Sequence, residues 1–212
     1  MSTDFSNVYW IGGGSGAGKS TIAQRIADLH KCKIYSTDNA MGDHSSRCTP
    51  EECPNLEAFK EMSMDERWAS RDPKTMLDTF HWFNGEGFDL IIEDLRNGPK
   101  DFNVLVEGFR LLPELVKPHL HSLNNGLWLI PTPQFRQTAL ENRGTLWDIP
   151  NKTSQPEKAL ENLLARDAMF TDRLQAKAES NDCPMIVMDG SENEDEVVSR
   201  VIKHFMLPRI HD

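Results

Sequence analysis

Residues 8–21 read VYWIGGGSGAGKST, in which a run of strand-forming side chains passes into a glycine-rich turn and ends in Lys19 and Ser20. Gly13, Gly18, Lys19 and Ser20 satisfy the phosphate-loop pattern G-x-x-x-x-G-K-[ST]. Few short segments constrain a fold as tightly, because the pattern works only as strand, turn and helix in that order. Val8, Tyr9, Trp10 and Ile11 supply the strand, and Ile22, Ala23, Ile26, Ala27 and Leu29 recur at helical spacing. Between them Gly13, Gly14, Ser15, Gly16, Ala17 and Gly18 let the backbone curl until successive N–H groups face one concave point, a nest for phosphate oxygens at the positive end of a helix. Lys19 adds a positive charge for the β- and γ-phosphates, Ser20 a hydroxyl for Mg²⁺, and Thr21 closes the segment.

The rest of the chain repeats the strand's character. Lys33-Ile34-Tyr35, residues 103–106, 127–130 and 185–188 are short apolar runs, each separated from the next by helical or polar material. With the first strand they make five, apolar on both faces, as in a parallel sheet covered by helices. The expectation is therefore an α/β chain: a three-layer P-loop NTPase fold with a five-stranded parallel sheet, a helical insertion and a lid. Ligands of such sheets bind at the carboxyl ends of the strands. The long excursion over residues 41–98 reads as a helical substrate-side insertion whose first part, 41–54, is loop. Phe80, Phe88 and Ile91 read as core. Residues 134–180 read as the lid region, and the last helix as opening on a capping box of Ser191 and Glu194.

At 212 residues the chain suits one domain, and a hydrophobic fraction of 38% supports a real core. A net charge of −10 argues against a general nucleic-acid or acidic-membrane binder, since backbone phosphates would be repelled. The N-terminus lacks the basic and apolar regions of a signal peptide and no apolar run is long enough to span a bilayer, so a cytoplasmic location is expected. Four cysteines without a CxxC pair are expected to be reduced thiols. His44, Cys48 and Cys53 cluster in sequence, but not at the spacing of a zinc finger.

Phosphoryl transfer needs positioning, metal and cations, with a carboxylate for the acceptor hydroxyl. Asp38, just past the second strand, is the candidate for that carboxylate, as base or as holder of metal-bound water; a helix N-cap is the structural alternative. Glu107 follows the third strand directly, where metal-binding acids sit, so Ser20, Asp38 and Glu107 form the candidate metal set. Arg110 lies near the same edge, as an acceptor-binding cation or a surface charge. Arg136 and Arg143, and again Arg166 and Arg173, are seven apart, which on a helix leaves each pair roughly 20° apart in azimuth. Arginines so aligned suit a closing lid that excludes water; the alternative is surface pairing with Glu141, Asp167 or Asp172.

In this order of elements the chain resembles the nucleoside-monophosphate-kinase-like branch of P-loop kinases, which includes adenylate, shikimate and gluconate kinases and chloramphenicol phosphotransferase. The likeness spans nearly the whole chain in element order, though only the P-loop is specific residue by residue. It implies ATP and Mg²⁺ as cofactors, Lys19, Asp38, Arg136 and Arg143 as catalytic residues, and Asp189-Gly190-Ser191 as the border of the adenine. The branch tends to place an arginine soon after the strand-two acid. Here the nearest is Arg47, nine residues on in polar sequence. With a longer and more aromatic insertion, this points to a small hydroxylated acceptor, with no nucleic acid or membrane partner, acted on by a monomer or homodimer. Arg47, Glu107, Arg110, Arg166 and Arg173 complete the acceptor-side candidates. The competing readings are an NTP-dependent switch or binding module, a nucleoside or nucleotide kinase, and a polynucleotide-end kinase, which the negative charge disfavours.

Overall fold

A computed structural model describes residues 5–98, 100–142 and 144–207. Five strands form one sheet: β1 (Val8–Gly13), β2 (Lys33–Ser36), β3 (Val104–Glu107), β4 (Gly126–Pro131) and β5 (Met185–Met188). Their order is β2-β3-β1-β4-β5, and every pairing is parallel. Side chains alternate across the sheet. Trp10, Val106, Trp128 and Ile130 enter one core with Phe88, Ile91, Phe170 and Leu174, whereas Ile11, Leu105, Leu127 and Leu129 enter the other with Ile22, Ile26, Val197 and Val201. Helices α1 (Lys19–His30) and α10 (Glu194–Phe205) thus cover one face. The opposite face is covered by α6 (Phe88–Asn97), α7 (Pro113–Val116) and α9 (Pro156–Ser180). The expected three-layer architecture is present. The two edge strands are less buried than their apolar runs imply: Ile34 in β2 and Val187 in β5 are exposed.

The excursion between β2 and β3 contains α2 (Met41–Arg47), α3 (Pro54–Glu61), α4 (Met64–Trp68), α5 (Pro73–Thr79) and then α6. Residues 41–47 are helix where sequence pattern indicates loop. No apolar stripe marks α2; instead His44 is buried against Asp94 of α6, and Arg47 reaches Asp43, Asp94 and Glu93. Phe88 and Ile91 are core as expected, and Phe80 is packed at the margin of three clusters. At the other end, α10 is capped by Asn193 and Glu196 in a reciprocal box, two residues beyond the expected Ser191 and Glu194. Ser191 is engaged by Asp189 instead.

After β4, α8 (Pro133–Asn142) buries no side chain, and residues 144–155 lead into α9. Helix α9 is a core element, contributing Phe170, Leu174 and Ala178. Among the described residues, 134–142 and 144–155 are therefore the portion of the expected lid, 134–180, that lies mostly outside the core, with Phe135 packed at its margin. Among the described residues no helix is long and apolar enough to cross a membrane.

Candidate functional site

Three adjacent strands deliver the site. Glu107, the last residue of β3, is level with Ser36 of β2 on one side and Ile11 of β1 on the other. The amide of Thr37 donates to the Glu107 carbonyl at 2.9 Å, and that of Gly108 to the Ile11 carbonyl at 3.2 Å, so the three chains leave the sheet side by side. Asp38 and Glu107 thus emerge at the edge from which the P-loop departs. Gly108 has φ +145, and a Cβ there would strike the Thr37 hydroxyl and sit 3.0 Å from Asp38 Oδ1. Only glycine lets the β3 turn lie this close to the acid.

The P-loop is arranged to receive an anion. Gly13 has φ +144, and a side chain there would collide with the Leu129 carbonyl, so the loop leaves β1 pressed against β4. Gly18 precedes α1 in the left-handed region without a side-chain cap, and the first turn of α1 carries no acid. Its N-terminal amides and positive dipole end are left to a ligand of negative charge. Lys19 is buried, and its Nζ donates to the Gly14 carbonyl at 2.8 Å. Ser20 Oγ donates to Glu107 Oε2 at 2.9 Å. A hydroxyl and a carboxylate already in contact, with Asp38 across Gly108, make an all-oxygen set of the kind Mg²⁺ takes. Arg136, in α8, lies against the loop: a methyl at Gly16 would be 3.1 Å from its Cγ.

Burial pushes the Asp38 carboxyl above the ordinary carboxylate range, with Glu107 adding to the rise and Lys19 and Arg110 opposing it. Arg110 is almost fully buried. Its guanidinium lies 4.0 Å above the Trp82 ring and donates to the carbonyls of Thr37 at 3.3 Å and Gly87 at 3.1 Å. Burial lowers it to about 10, still charged at neutral pH. A desolvated stack of this kind contributes about 2 kcal/mol. Arg110 thereby fastens the backbone just before Asp38 to the start of α6.

Arg166 faces inward, where helical spacing had set it beside the buried stripe. Its Nε and Nη2 donate to Asp167 Oδ1 at 2.9 and 2.7 Å, and its guanidinium lies 4.7 Å from the Phe80 ring and 5.0 Å from that of Phe83. Nη1 is buried without a hydrogen-bond partner among the described residues. Leaving a donor so costs about 1–3 kcal/mol, which a ligand oxygen would recover. The same side chain borders a cavity of about 220 Å³ that reaches Ser15 of the P-loop, Leu140 and Ile149.

The remaining candidates lie apart. Arg47 is held by three carboxylates on α2 and α6. Arg173 pairs with Asp78 of the insertion at 2.6 Å on the surface. Arg143 lies outside the described residues. Sequence reasoning missed Trp82, the platform for Arg110, and Asn162, whose amide donates to the carbonyls of Trp68, Ala69 and Arg71. Asn162 had a signal: it interrupts the apolar stripe of α9 one turn before Arg166.

No family model and no curated protein sequence matches the chain. Among solved structures it is similar to an uncharacterized protein from Eubacterium ventriosum, with a TM-score of 0.51 and 13% identity over 94% of this chain and 97% of that one. A deoxyadenosine kinase from M. mycoides with bound dATP aligns over 92% of this chain and 97% of its own, at a TM-score of 0.48 and 13% identity. What the first of these shares with the chain is the fold, here a five-stranded parallel sheet between two helical layers. At such identities the likeness speaks to architecture alone.

Proposed function

We propose that the chain is an ATP-dependent phosphotransferase that moves the γ-phosphoryl group to a hydroxyl of a small molecule. The observation that carries this reading is the placement of a partly buried carboxylate, Asp38, beside the Ser20–Glu107 pair and the P-loop lysine at one sheet edge. The loop amides and Lys19 hold the triphosphate. Ser20 and Glu107, with Asp38 beside them, would hold Mg²⁺, which would supply positive charge against the phosphates. Asp38 takes the proton of the acceptor hydroxyl as that oxygen bonds to the γ-phosphorus, whose bond to the β,γ-bridging oxygen breaks. Its raised proton affinity suits a group that must accept a proton. Arg136 on the loop, Arg143 on the adjoining segment and the unpartnered Nη1 of Arg166 supply positive charge for the moving phosphoryl group, and closure of residues 133–155 keeps water out.

A second cavity, of about 250 Å³, lies between Gly18, Thr21, Phe135 and Met188. Gly190 adjoins it, since a methyl there would lie 3.7 Å from the Phe135 ring. It suits the adenine, in keeping with the resemblance to monophosphate-kinase-like enzymes. On the acceptor side, the shell of Trp82, Phe80 and Phe83 around Arg110 and Arg166 favours a hydroxyl compound with a planar or apolar part, nucleosides among them. The test is ATP consumption by the purified chain with Mg²⁺ across alcohols, sugars, nucleosides and aromatic antibiotics. Acceptor-dependent ADP release lost in Asp38→Asn supports the reading. Slow hydrolysis indifferent to every acceptor would instead indicate a nucleotide switch.

A further inference from the structure

Cys48 closes α2 and Cys53 opens α3, so the two thiols stand at either end of one short connection. Both line a cavity of about 220 Å³ with Gly87 and Leu115, and both belong to the apolar cluster around Trp82. Only five positions apart, they face the same cavity and the same cluster from the two ends of that connection. Cys48 is partly exposed, while Cys53 is almost fully buried. The other cysteines, Cys32 and Cys183, pack in different clusters. The pair also touches the acceptor side. A methyl at Gly87 would lie 3.2 Å from Cys48 Sγ and 3.4 Å from Arg110 Nη2, so thiol and guanidinium flank the same stretch of backbone.

We propose that Cys48 and Cys53 form a reversible disulfide that throttles acceptor use by drawing α2 towards α3 and Cys48 away from the Arg110 wall. The throttle rests on the kinase reading above; the disulfide does not. Peroxide is the oxidant. The Cys48 sulfur attacks one peroxide oxygen, the O–O bond breaks, and the leaving hydroxide takes up the Cys48 proton as water, with a sulfenic acid formed. Cys53 sulfur then attacks the Cys48 sulfur and expels the hydroxyl, which departs as water with the Cys53 proton. Two thiols and one hydrogen peroxide thus become one disulfide and two waters. The division of roles follows from the surroundings. Burial, and then the neighbouring Cys48, push the Cys53 thiol up to about 12, so Cys53 waits protonated while the accessible Cys48 meets the oxidant. The new bond brings the sulfurs to about 2.05 Å, closer than two thiols can lie. Met41, which opens α2, is three residues past Asp38, so a pull on this helix is transmitted to the base.

The test treats the full chain with graded hydrogen peroxide. Intact mass should fall by two hydrogens, peptide mapping should join residues 48 and 53, and dithiothreitol should reverse both. Acceptor-dependent transfer should drop by roughly tenfold, on the scale expected for a small misplacement of a reacting group, with nucleotide affinity unchanged. Cys48→Ser should keep basal transfer and lose the sensitivity, and Cys53→Ser should halt oxidation of Cys48 at the acid. A cross-link involving Cys32 or Cys183, or none, overturns the disulfide. A 48–53 cross-link that leaves transfer unaltered overturns the throttle. A 48–53 cross-link in a protein that transfers to no acceptor in either state establishes the disulfide and removes the kinase reading.

Discussion

The donor side of the site and its acceptor side are built by different means. The P-loop edge is local: nine consecutive residues, 13–21, present amides, one ammonium and the Ser20 hydroxyl, which donates to the distant Glu107. The acceptor side is assembled from remote parts. Arg110 spans from Thr37 to Gly87 and rests on Trp82, and Arg166 crosses from α9 into the aromatic rings of the insertion. A site made of backbone amides tolerates change around it and fails when its lysine is lost. One made of packed side chains divides its energy between fold and ligand, so its substitutions should show both effects.

The largest expected effect tests the donor side. Lys19→Ala should lower kcat/KM by about 1000-fold or more, as loss of a phosphate-charge stabiliser does, while the melting temperature stays close to that of the parent. Retained turnover would remove the cradle from the mechanism. Asp38→Asn is next, with kcat reduced roughly 100- to 10,000-fold and nucleotide affinity within a few-fold. Here the two sides meet, and stability separates base from cap. In the folded protein Asp38 binds its proton more tightly than in the unfolded chain. Its stabilising contribution is then complete below the ordinary carboxylate range and is lost as pH rises through the elevated folded value. At neutral pH the ionised group costs stability, so Asp38→Asn should melt higher than the parent there. It should also abolish an acid limb in kcat/KM placed above the ordinary carboxylate range. A lower melting point with unchanged kcat would leave Asp38 a structural role alone, though not the expected helix cap, since α2 is capped at Ala40 without a side-chain hydrogen bond.

This division also explains what the sequence disclosed. The strands, the P-loop and the placement of Asp38 and Glu107 at one edge were legible because each depends on neighbours within a few residues and on the parallel-sheet rule. Helix α2 was not legible, because its support comes from Asp94, 47 positions beyond Arg47, rather than from a stripe of its own. The inward turn of Arg166 was hidden for a similar reason: its aromatic neighbours Trp68, Phe80 and Phe83 arrive from the insertion. The cap at Asn193 differed from the expected Ser191 because Ser191 is engaged by Asp189, a competition that residue spacing does not show.

Two arginines of one helix provide the finer comparison. Arg166→Met keeps most of the apolar stem and removes a guanidinium with a buried, unpartnered donor. Its loss should reduce transfer by about 10- to 100-fold, in the range for a charge-stabilising donor, with little change in melting temperature. A large drop in stability with kcat intact would mean that the aromatic rings, not a ligand, are its partner.

Arg173→Ala should do the least. The side chain lies one heptad further along α9, yet its guanidinium is committed to Asp78 at the surface. Exposed pairs of this kind contribute about 0–1 kcal/mol and weaken with salt, so the variant should lose at most that much stability, less still at high ionic strength, with kcat and both KM values unchanged. The contrast with Arg166 turns on direction rather than identity. Seven residues advance a helix by nearly two turns, leaving a small azimuthal drift, but in α9 that step carries the side chain along the insertion from its aromatic interior to its acidic rim. If Arg173→Ala nonetheless depressed kcat as Arg166→Met does, the Asp78 pair would have to open during turnover, and α9 would belong with residues 133–155 in the closing element rather than in the scaffold.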